Sequence, residues 1–265
     1  MLLPSRLARA TIHPTAIVSD GAVLEEGVAV GPYSIIGDGV TVGAGTQIGP
    51  HVLIEKNTTI GRECVISAGA VLGTDPQDVK YRGEPTSLHV GDRTIIREYC
   101  TLNRGTRASG RTVVGSDCMF MAYVHVAHDC RIGDHVILSN GVNMGGHVSI
   151  DQWASVGGLT PIHQFVRIGA HAFVGGASRV AKDIPPYVKA AGNPIQLYGL
   201  NSVGLQRRGF GADVRRELKK AYRLFFSSTF NITQALERAR DELTIIPEVE
   251  VFLGFFEESE RGVSL

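Results

Sequence analysis

Six of the nine histidines of this 265-residue chain are concentrated between positions 125 and 171. They are His125, His128, His135, His147, His163 and His171. One of them, His128, is followed directly by Asp129. The pKa of an imidazole lies near neutral pH, and a neighbouring carboxylate stabilises the imidazolium that forms when the ring takes a proton. The His128–Asp129 pair therefore predicts a general base.

Two adjacent glycines, Gly145 and Gly146, follow that base further along the chain. The backbone N–H of a glycine can donate a hydrogen bond to an oxyanion that forms when a base has activated a nucleophile. These glycines can meet His128 only if the chain returns to the same place over that distance. The sequence carries a repeat with that property.

An apolar residue recurs at every sixth position from Ile12 to Val180, in 26 of 29 slots. A helix repeats every 3.6 residues and a strand every two, so neither explains a strict period of six. Hexads are typical of a parallel β-helix, in which three consecutive hexads form three short faces and close one coil. This stretch is therefore predicted to be an all-β prism of stacked coils.

A coil of three hexads places the candidate residues on one edge of the prism. Equivalent corners of neighbouring coils lie roughly 4.8 Å apart, so residues separated by three hexads form files along the edge. We expect this edge to serve one small substrate. Its files are His128 with Gly146, Asp129 with His147 and Phe165, and Gly145 with His163.

Three of the hexad slots hold no large apolar residue, namely Asp78, Glu84 and Ala108. Here the chain is predicted to leave the prism as external loops, near 73–89 and 103–113. Loops on a rigid scaffold often carry functional residues.

The hexads end at Pro185–Pro186, because proline has no N–H to continue the ladder. Beyond them a helical period appears at 213–226, at 233–243 and from Pro247 onwards. We predict two domains, a β-helix with its external loops over residues 1–186 and a small helical domain over 187–265.

The composition argues against several function classes. The 26 basic and 26 acidic side chains balance, which predicts no nucleic-acid partner. No apolar run is long enough to span a bilayer and the N-terminus lacks a signal-peptide pattern, so no stable membrane insertion is expected. The four cysteines show neither metal spacing nor the density of a disulfide framework, which predicts reduced thiols in a cytoplasmic protein.

A zinc site is the main alternative use of the histidines. Three converging imidazoles can hold a catalytic zinc ion, as in the gamma-class carbonic anhydrases, which are also built from hexads. Those enzymes need a wide histidine spacing followed by a close pair, whereas here the close pair, His125 and His128, comes first. We therefore expect no metal and no other cofactor.

Charge is unevenly distributed in the C-terminal part. The segment 199–223 holds seven basic and two acidic side chains, whereas 237–260 holds eight acidic and two basic ones. A solvated helix face explains the basic run, and so does a dock for an acidic partner protein. Both interpretations stay open from the sequence.

Four short motifs are more specific than the hexads. They are His-x-x-His-Asp-Cys at 125–130, Gly-Gly-His at 145–147, His-Gln-Phe at 163–165 and Arg-Arg-Gly-Phe at 207–210. Together with the segments 78–86, 103–106, 183–187 and 205–210, they closely resemble the bacterial acyl-carrier-protein–UDP-N-acetylglucosamine O-acyltransferase family. The similarity covers essentially the whole chain from Ile12.

The resemblance implies a left-handed parallel β-helix with a C-terminal α-helical domain, and a homotrimer with active sites between neighbouring prisms. It also implies the first step of lipid A synthesis, in which a 3-hydroxyacyl chain passes from acyl carrier protein to the 3-hydroxyl of UDP-N-acetylglucosamine. The implied catalytic residues are His128 as general base, Asp129 as its orienting partner and the Gly146 amide as oxyanion donor.

The resemblance also implies substrate contacts. Gly176 matches the position where a side chain limits acyl length in this family, and Val203 departs from the glutamate of many members. The implied contacts are Lys80, His125, His147, His163 and Gln164 to sugar and diphosphate, Asp78 near the acyl 3-hydroxyl, and Asn201, Arg207 and Arg208 to the nucleotide.

Two other functions compete with this interpretation. An amino-sugar N-acyltransferase would use the same base and amide on an amine nucleophile, so it stays open from the sequence. A non-catalytic hexad scaffold would need neither His128 nor the Arg207–Arg208 pair.

Overall fold

A computed structural model describes residues 9–226 and 229–264. Three parallel sheets form the faces of a left-handed β-helix, as predicted, and each coil contributes one short strand to each sheet. Sheet A contains β1 (Thr11–Ile12), β4 (Ala29–Val30), β7 (Gln47–Ile48), β10 (Val65–Ile66), β13 (Ile95–Ile96), β16 (Met119–Phe120), β19 (Ile137–Leu138), β22 (Ser155–Val156), β25 (Phe173–Val174), β26 (Val188–Ala191) and β27 (Gln196–Leu200). Sheet B contains β2 (Ile17–Val18), β5 (Ile35–Ile36), β8 (Leu53–Ile54), β11 (Val71–Thr74), β14 (Thr101–Asn103), β17 (His125–Val126), β20 (Asn143–Met144) and β23 (Pro161–Ile162). Sheet C contains β3 (Val23–Leu24), β6 (Thr41–Val42), β9 (Thr58–Ile60), β12 (Ser87–Val90), β15 (Arg111–Val114), β18 (Arg131–Ile132), β21 (Ser149–Ile150) and β24 (Arg167–Ile168).

The hexad residues form the core of the prism, as predicted. From Val30 to Val180 each apolar hexad residue is buried, with its neighbour in the strand facing outwards. Ile12 is 45% exposed, because the first coil packs against a neighbouring coil on one side only. Burial along the whole interior stabilises the stack, at roughly 25 cal/mol for each Å² of apolar surface removed from water.

The strand register explains the two loops. Neighbouring coils pair residues that are three hexads apart, such as Ile48 with Ile66. Ile66 instead pairs with Ile96, two hexads beyond the regular spacing, and Leu102 pairs with Val126, one hexad beyond it. The extra residues form the external loops 75–86 and 104–110, which lie inside the predicted ranges.

The prism turns its corners through left-handed backbone. Asp129, His147 and Phe165 have φ values of 60°, 61° and 64° and follow one another along the edge between sheets B and C. For an L-residue this conformation costs roughly 1–2 kcal/mol, so the stacked coils must hold it in place.

Beyond the hexads, the antiparallel hairpin β26–β27 extends sheet A before the helices begin. The three predicted helices are present as α2 (Ala212–Phe226), α3 (Ile232–Glu242) and α4 (Pro247–Glu257). A fourth helix, α1 (Ser202–Arg207), was not predicted. The division at residue 186 stays a prediction, and residues 1–8, 227–228 and 265 of the two predicted domains lie outside the described residues. Within the described part of the chain, no helix combines the length and apolarity needed to cross a bilayer.

Candidate active site

His128 and Asp129 lie at the corner between sheets B and C, directly after β17. His128 Nδ1 is 2.7 Å from Asp129 Oδ2. The Asp129 side chain is fully buried, whereas that of His128 is 13% exposed. The imidazole is therefore held from the interior and presented towards the surface.

The loop 104–110 supplies the other hydrogen bonds to the Asp129 carboxylate. Thr106 donates through its N–H at 3.0 Å and its hydroxyl at 2.7 Å, and Ser109 donates through its N–H at 3.2 Å and its hydroxyl. Burial raises the pKa of Asp129, but hydrogen bonds from Ser109, His128 and Thr106 outweigh it and lower the pKa to about 2. An ionised carboxylate only accepts, so His128 Nδ1 carries the proton and the Nε2 lone pair is free to act as a base.

Gly146 lies against the His128 ring, as the coil of three hexads predicted. A Cβ added at Gly146 would lie 2.4 Å from Cε1 and 2.7 Å from Nε2 of His128. His147 N–H donates to the carbonyl of His128 at 3.0 Å, which joins the two coils. Among the described residues, no group accepts a hydrogen bond from the Gly146 N–H. Only glycine fits here without displacing the imidazole.

His147 lies further from the Asp129 carboxylate than His128 does. Its Nε2 is 3.6 Å from Asp129 Oδ2, beyond hydrogen-bond distance, and its ring lies edge-on to His128 with centroids 5.2 Å apart. The other face of His147 stacks on Phe165 at 4.6 Å. The predicted file Asp129–His147–Phe165 is thus a physical contact chain.

A groove of about 620 Å³ opens beside this corner over the outer face of sheet B. Thr101 Oγ1 lies 2.7 Å from His125 Nδ1. Burial, and to a lesser extent the nearby His128, lower the pKa of His125, so its ring is neutral at pH 7. Gln77 and Tyr123 were not predicted as lining residues, although Gln77 directly precedes Asp78 in a predicted loop. The groove is lined by Gln77, Thr101, Tyr123, His125, His128, Gly145, Gly146 and Gln164, among others.

Asp78 and Lys80 lie on the loop 75–86, where Lys80 N–H donates to Asp78 Oδ1 at 2.9 Å. The side chain of Arg104, only 3% exposed, holds this loop in place. It pairs with Asp75 and donates to Gly73 O at 2.7 Å. The two loops are therefore fastened to each other beside the groove.

His163 is exposed, and its Nδ1 lies 2.8 Å from Arg261 Nη2. Arg261 also donates to the carbonyl of Ala181 at 2.8 Å, which ties the C-terminal segment to the prism. The sequence offered no signal for Arg261, because it lies in the segment after the last helix, outside every repeat.

Asn201, Arg207 and Arg208 line a second groove, of about 710 Å³, over the outer face of sheet A. The Arg208 guanidinium lies 5.2 Å above the Trp153 ring and 3.4 Å from His171 Nδ1. Burial, and then Arg208, lower the pKa of His171 to about 4. Val203, 61% exposed, lines the same groove.

The two grooves lie on different faces of one chain. The nucleotide contacts implied by the resemblance therefore do not meet His128 within a single prism. Gly176 lies at the third edge, between sheets A and B, where an added Cβ would be 3.2 Å from Gly158 O.

His128, Asp129 and His147 each offer one potential metal ligand, all within 4.8 Å of one another. Both Asp129 oxygens already accept hydrogen bonds from the loop and from His128 Nδ1, so a cation would have to displace these donors. The expectation that no metal binds stays a prediction.

Comparison with known proteins shows the family. The model described as Udp N-acetylglucosamine O-acyltransferase; Domain 2 matches residues 183–264, and the bacterial transferase hexapeptide model matches 39–74 and 111–146. The acyl-[acyl-carrier-protein]–UDP-N-acetylglucosamine O-acyltransferase of Chlorobaculum tepidum is 64% identical over 92% of this chain and 93% of its own length. The chain belongs to this family.

Other members support the assignment and confirm the resemblance. The relative from Thiobacillus denitrificans is 46% identical over 96% of this chain and 99% of its own length. The crystal structure of the Moraxella catarrhalis enzyme superposes with a TM-score of 0.91 at 39% identity, covering 96% of this chain and 99% of that one. The protein is thus an acyltransferase, and the alternative of a non-catalytic scaffold is wrong.

Proposed function

We propose that the protein transfers a 3-hydroxyacyl chain from acyl carrier protein to the 3-hydroxyl of UDP-N-acetylglucosamine, the first step of lipid A synthesis. The names of the relatives support these substrates. The observation that carries the mechanism is the Asp129 carboxylate, which is saturated with donors and leaves His128 Nε2 as a free base against Gly146.

In the proposed reaction His128 Nε2 takes the proton of the sugar hydroxyl as its oxygen attacks the thioester carbonyl. Negative charge then develops on the carbonyl oxygen, and the Gly146 N–H donates a hydrogen bond to it. The tetrahedral intermediate collapses, the C–S bond breaks, and the departing thiolate takes the proton from His128. No metal and no covalent enzyme intermediate is needed.

The remaining residues are proposed to bind substrate. His125 and Gln164, which line the groove over sheet B, are proposed to contact the sugar and diphosphate together with Lys80, His147 and His163. Asp78 is proposed to contact the acyl 3-hydroxyl, and Asn201, Arg207 and Arg208 the nucleotide.

A homotrimer would unite the two grooves. Sheets A and B and the edge between them carry exposed aromatic and aliphatic side chains, whereas the outer face of sheet C is mostly polar. If sheet B of one copy lies against sheet A of the next, the His128 groove faces the Arg208 groove of the neighbour. The exposed residues are Ile17, Tyr33, Ile35, Val65, Tyr99, Tyr123, Ile137, Leu159 and Phe173.

Complementation between inactive variants tests this arrangement. His128→Ala and Arg208→Ala should each lose most activity, whereas coexpression should restore part of it. In a mixed trimer one site takes His128 from one chain and Arg208 from the other, and is intact. Coexpression without any recovery would contradict sites shared between copies.

The cytoplasm is the proposed location, because Cys64, Cys100, Cys118 and Cys130 are all free and buried, as expected in a reducing compartment.

The proposed base is tested with His128→Ala. Transfer to UDP-N-acetylglucosamine should fall by about 10²–10⁴-fold with nucleotide binding and oligomeric state unchanged, and His147→Ala should lose less. A residual rate above about a tenth of wild type would be outside that range and would reject His128 as the base. Running the assay with a 3-amino acceptor decides between O- and N-acyl transfer.

A further inference from the structure

The loop 104–110 donates hydrogen bonds to the Asp129 carboxylate, which two histidines also approach. A carboxylate offers about four lone-pair positions, two on each oxygen. Oδ1 accepts from the N–H groups of Thr106 and Ser109, and the Ser109 hydroxyl divides its single proton between Oδ1 and the carbonyl of Arg111. Oδ2 accepts from the Thr106 hydroxyl and from His128 Nδ1, each at 2.7 Å. Both positions on Oδ2 are therefore taken.

Because both positions on Oδ2 are taken, His147 does not form a hydrogen bond with the Asp129 carboxylate. Its Nε2 is 3.6 Å from the same Oδ2, close enough to approach if a lone pair were vacated. His128 and His147 are thus competitors for one oxygen, and the Thr106 hydroxyl fills the place that His147 would take.

The direction of the Thr106 hydroxyl bond is fixed by a second contact. Ala108 N–H donates to Thr106 Oγ1 at 3.2 Å, so the hydroxyl oxygen is an acceptor there and its single proton is left for Asp129. Thr106 is itself only 8% exposed, so water has little access to replace it.

We propose that Thr106 is a positioning residue for catalysis, whose hydroxyl reserves Asp129 for His128 by excluding His147 from Oδ2. The inference rests on the proposed role of His128 as the base. Thr106 does not touch the reacting atoms and acts only through the carboxylate. Without its hydroxyl, Asp129 divides between two imidazoles and His128 is held less often in the productive orientation.

The test uses Thr106→Val, which removes the hydroxyl and keeps both the branched side chain and the backbone N–H. We expect kcat to fall about tenfold, less than the 10²–10⁴-fold loss expected for removing the base itself, with KM for the nucleotide sugar unchanged. Thr106→Ser keeps a hydroxyl and should recover most of the lost rate. An unchanged kcat in Thr106→Val, or a change in KM alone, overturns the proposal.

A matched control and a double-mutant cycle separate positioning from simple loss of stability. Thr46 is also a buried threonine, donating to Gly61 O at 2.8 Å and accepting from Cys64 N–H at 3.0 Å, in a coil far along the chain from Asp129. Thr46→Val should leave kcat unchanged. In a His147→Phe background the competitor is absent, so adding Thr106→Val should cost much less than it does in the wild type.

Equal losses from Thr106→Val in both backgrounds would show a merely structural role and overturn the inference. The proposed function fails separately, by substantial activity in His128→Ala. An inactive His128→Ala together with a fully active Thr106→Val would leave the base assigned and reject the role of Thr106.

Discussion

Gly146→Ala is expected to displace His128, the proposed base, without changing any of its chemical groups. The added Cβ would lie 2.4 Å from His128 Cε1, whereas ordinary contact begins at 3.4 Å. The imidazole must therefore move by about 1 Å, and a misplacement of about 1 Å costs on the order of 10²-fold in rate. The ring cannot yield freely, because its Nδ1 is tied to Asp129 at 2.7 Å. We expect kcat to fall about 10²-fold.

The assay is initial-rate transfer from a 3-hydroxyacyl carrier protein to UDP-N-acetylglucosamine, with kcat and both KM values measured. The alanine retains the backbone N–H, and Gly146 does not have the left-handed φ that would make alanine strained in itself. KM for the nucleotide sugar should therefore change little. Gly254→Ala in α4 is the matched control, since its Cβ would meet nothing within 4 Å. A folded Gly146→Ala protein with kcat within a few-fold of wild type would refute the argument that contact with Gly146 sets the position of His128.

Three further predictions concern charge, chain length and pH. Arg216→Glu with Lys219→Glu should raise KM for acyl carrier protein and leave KM for the nucleotide sugar unchanged, because surface charge steers the acidic partner. Arg216 is already paired with Asp213 at 2.6 Å. Equal effects on both substrates, or no effect on either, would therefore favour the solvated-face interpretation. Gly176→Met should shift kcat/KM towards shorter acyl donors, since each buried methylene of the acyl chain adds roughly 0.8 kcal/mol to its binding. An unchanged dependence of kcat/KM on acyl length would show that Gly176 does not determine the preferred length. Asp129 has a pKa of about 2, below the roughly 3.9 of an unfolded chain, so its carboxylate contributes about 2–3 kcal/mol that is present above pH ~4 and lost as the pH falls towards 2. The free energy of unfolding of Asp129→Asn should lack that part of the acid dependence.

The sequence predicts the prism and the edge that carries the candidate active site, because a strict period relates residues that are far apart in the chain. Once three hexads close a coil, the contact of His128 with Gly146 follows without any knowledge of the intervening chain, and the same holds for the stacking of His147 on Phe165. The loops were predicted for the converse reason, since their residues break the period.

The contacts that no period spans could not be predicted. Thr106 and Ser109 reach Asp129 from a loop that returns to the prism along no regular path. The six-residue helix α1 is too short to show a helical repeat. Arg208 lies in the chain beyond the hexads. The six-residue period therefore could not predict that it packs on Trp153 rather than beside His128.

The register across the two loops has a consequence for how such a chain evolves. In the regular coils paired residues such as Ile48 and Ile66 are three hexads apart, but across the loops they are five and four hexads apart, so the insertions amount to two hexads and one. Gains or losses of six codons leave every later apolar residue in phase with the hexads that precede the loop. The loops that carry the proposed substrate contacts can therefore differ in length by whole hexads while the period of the scaffold is preserved.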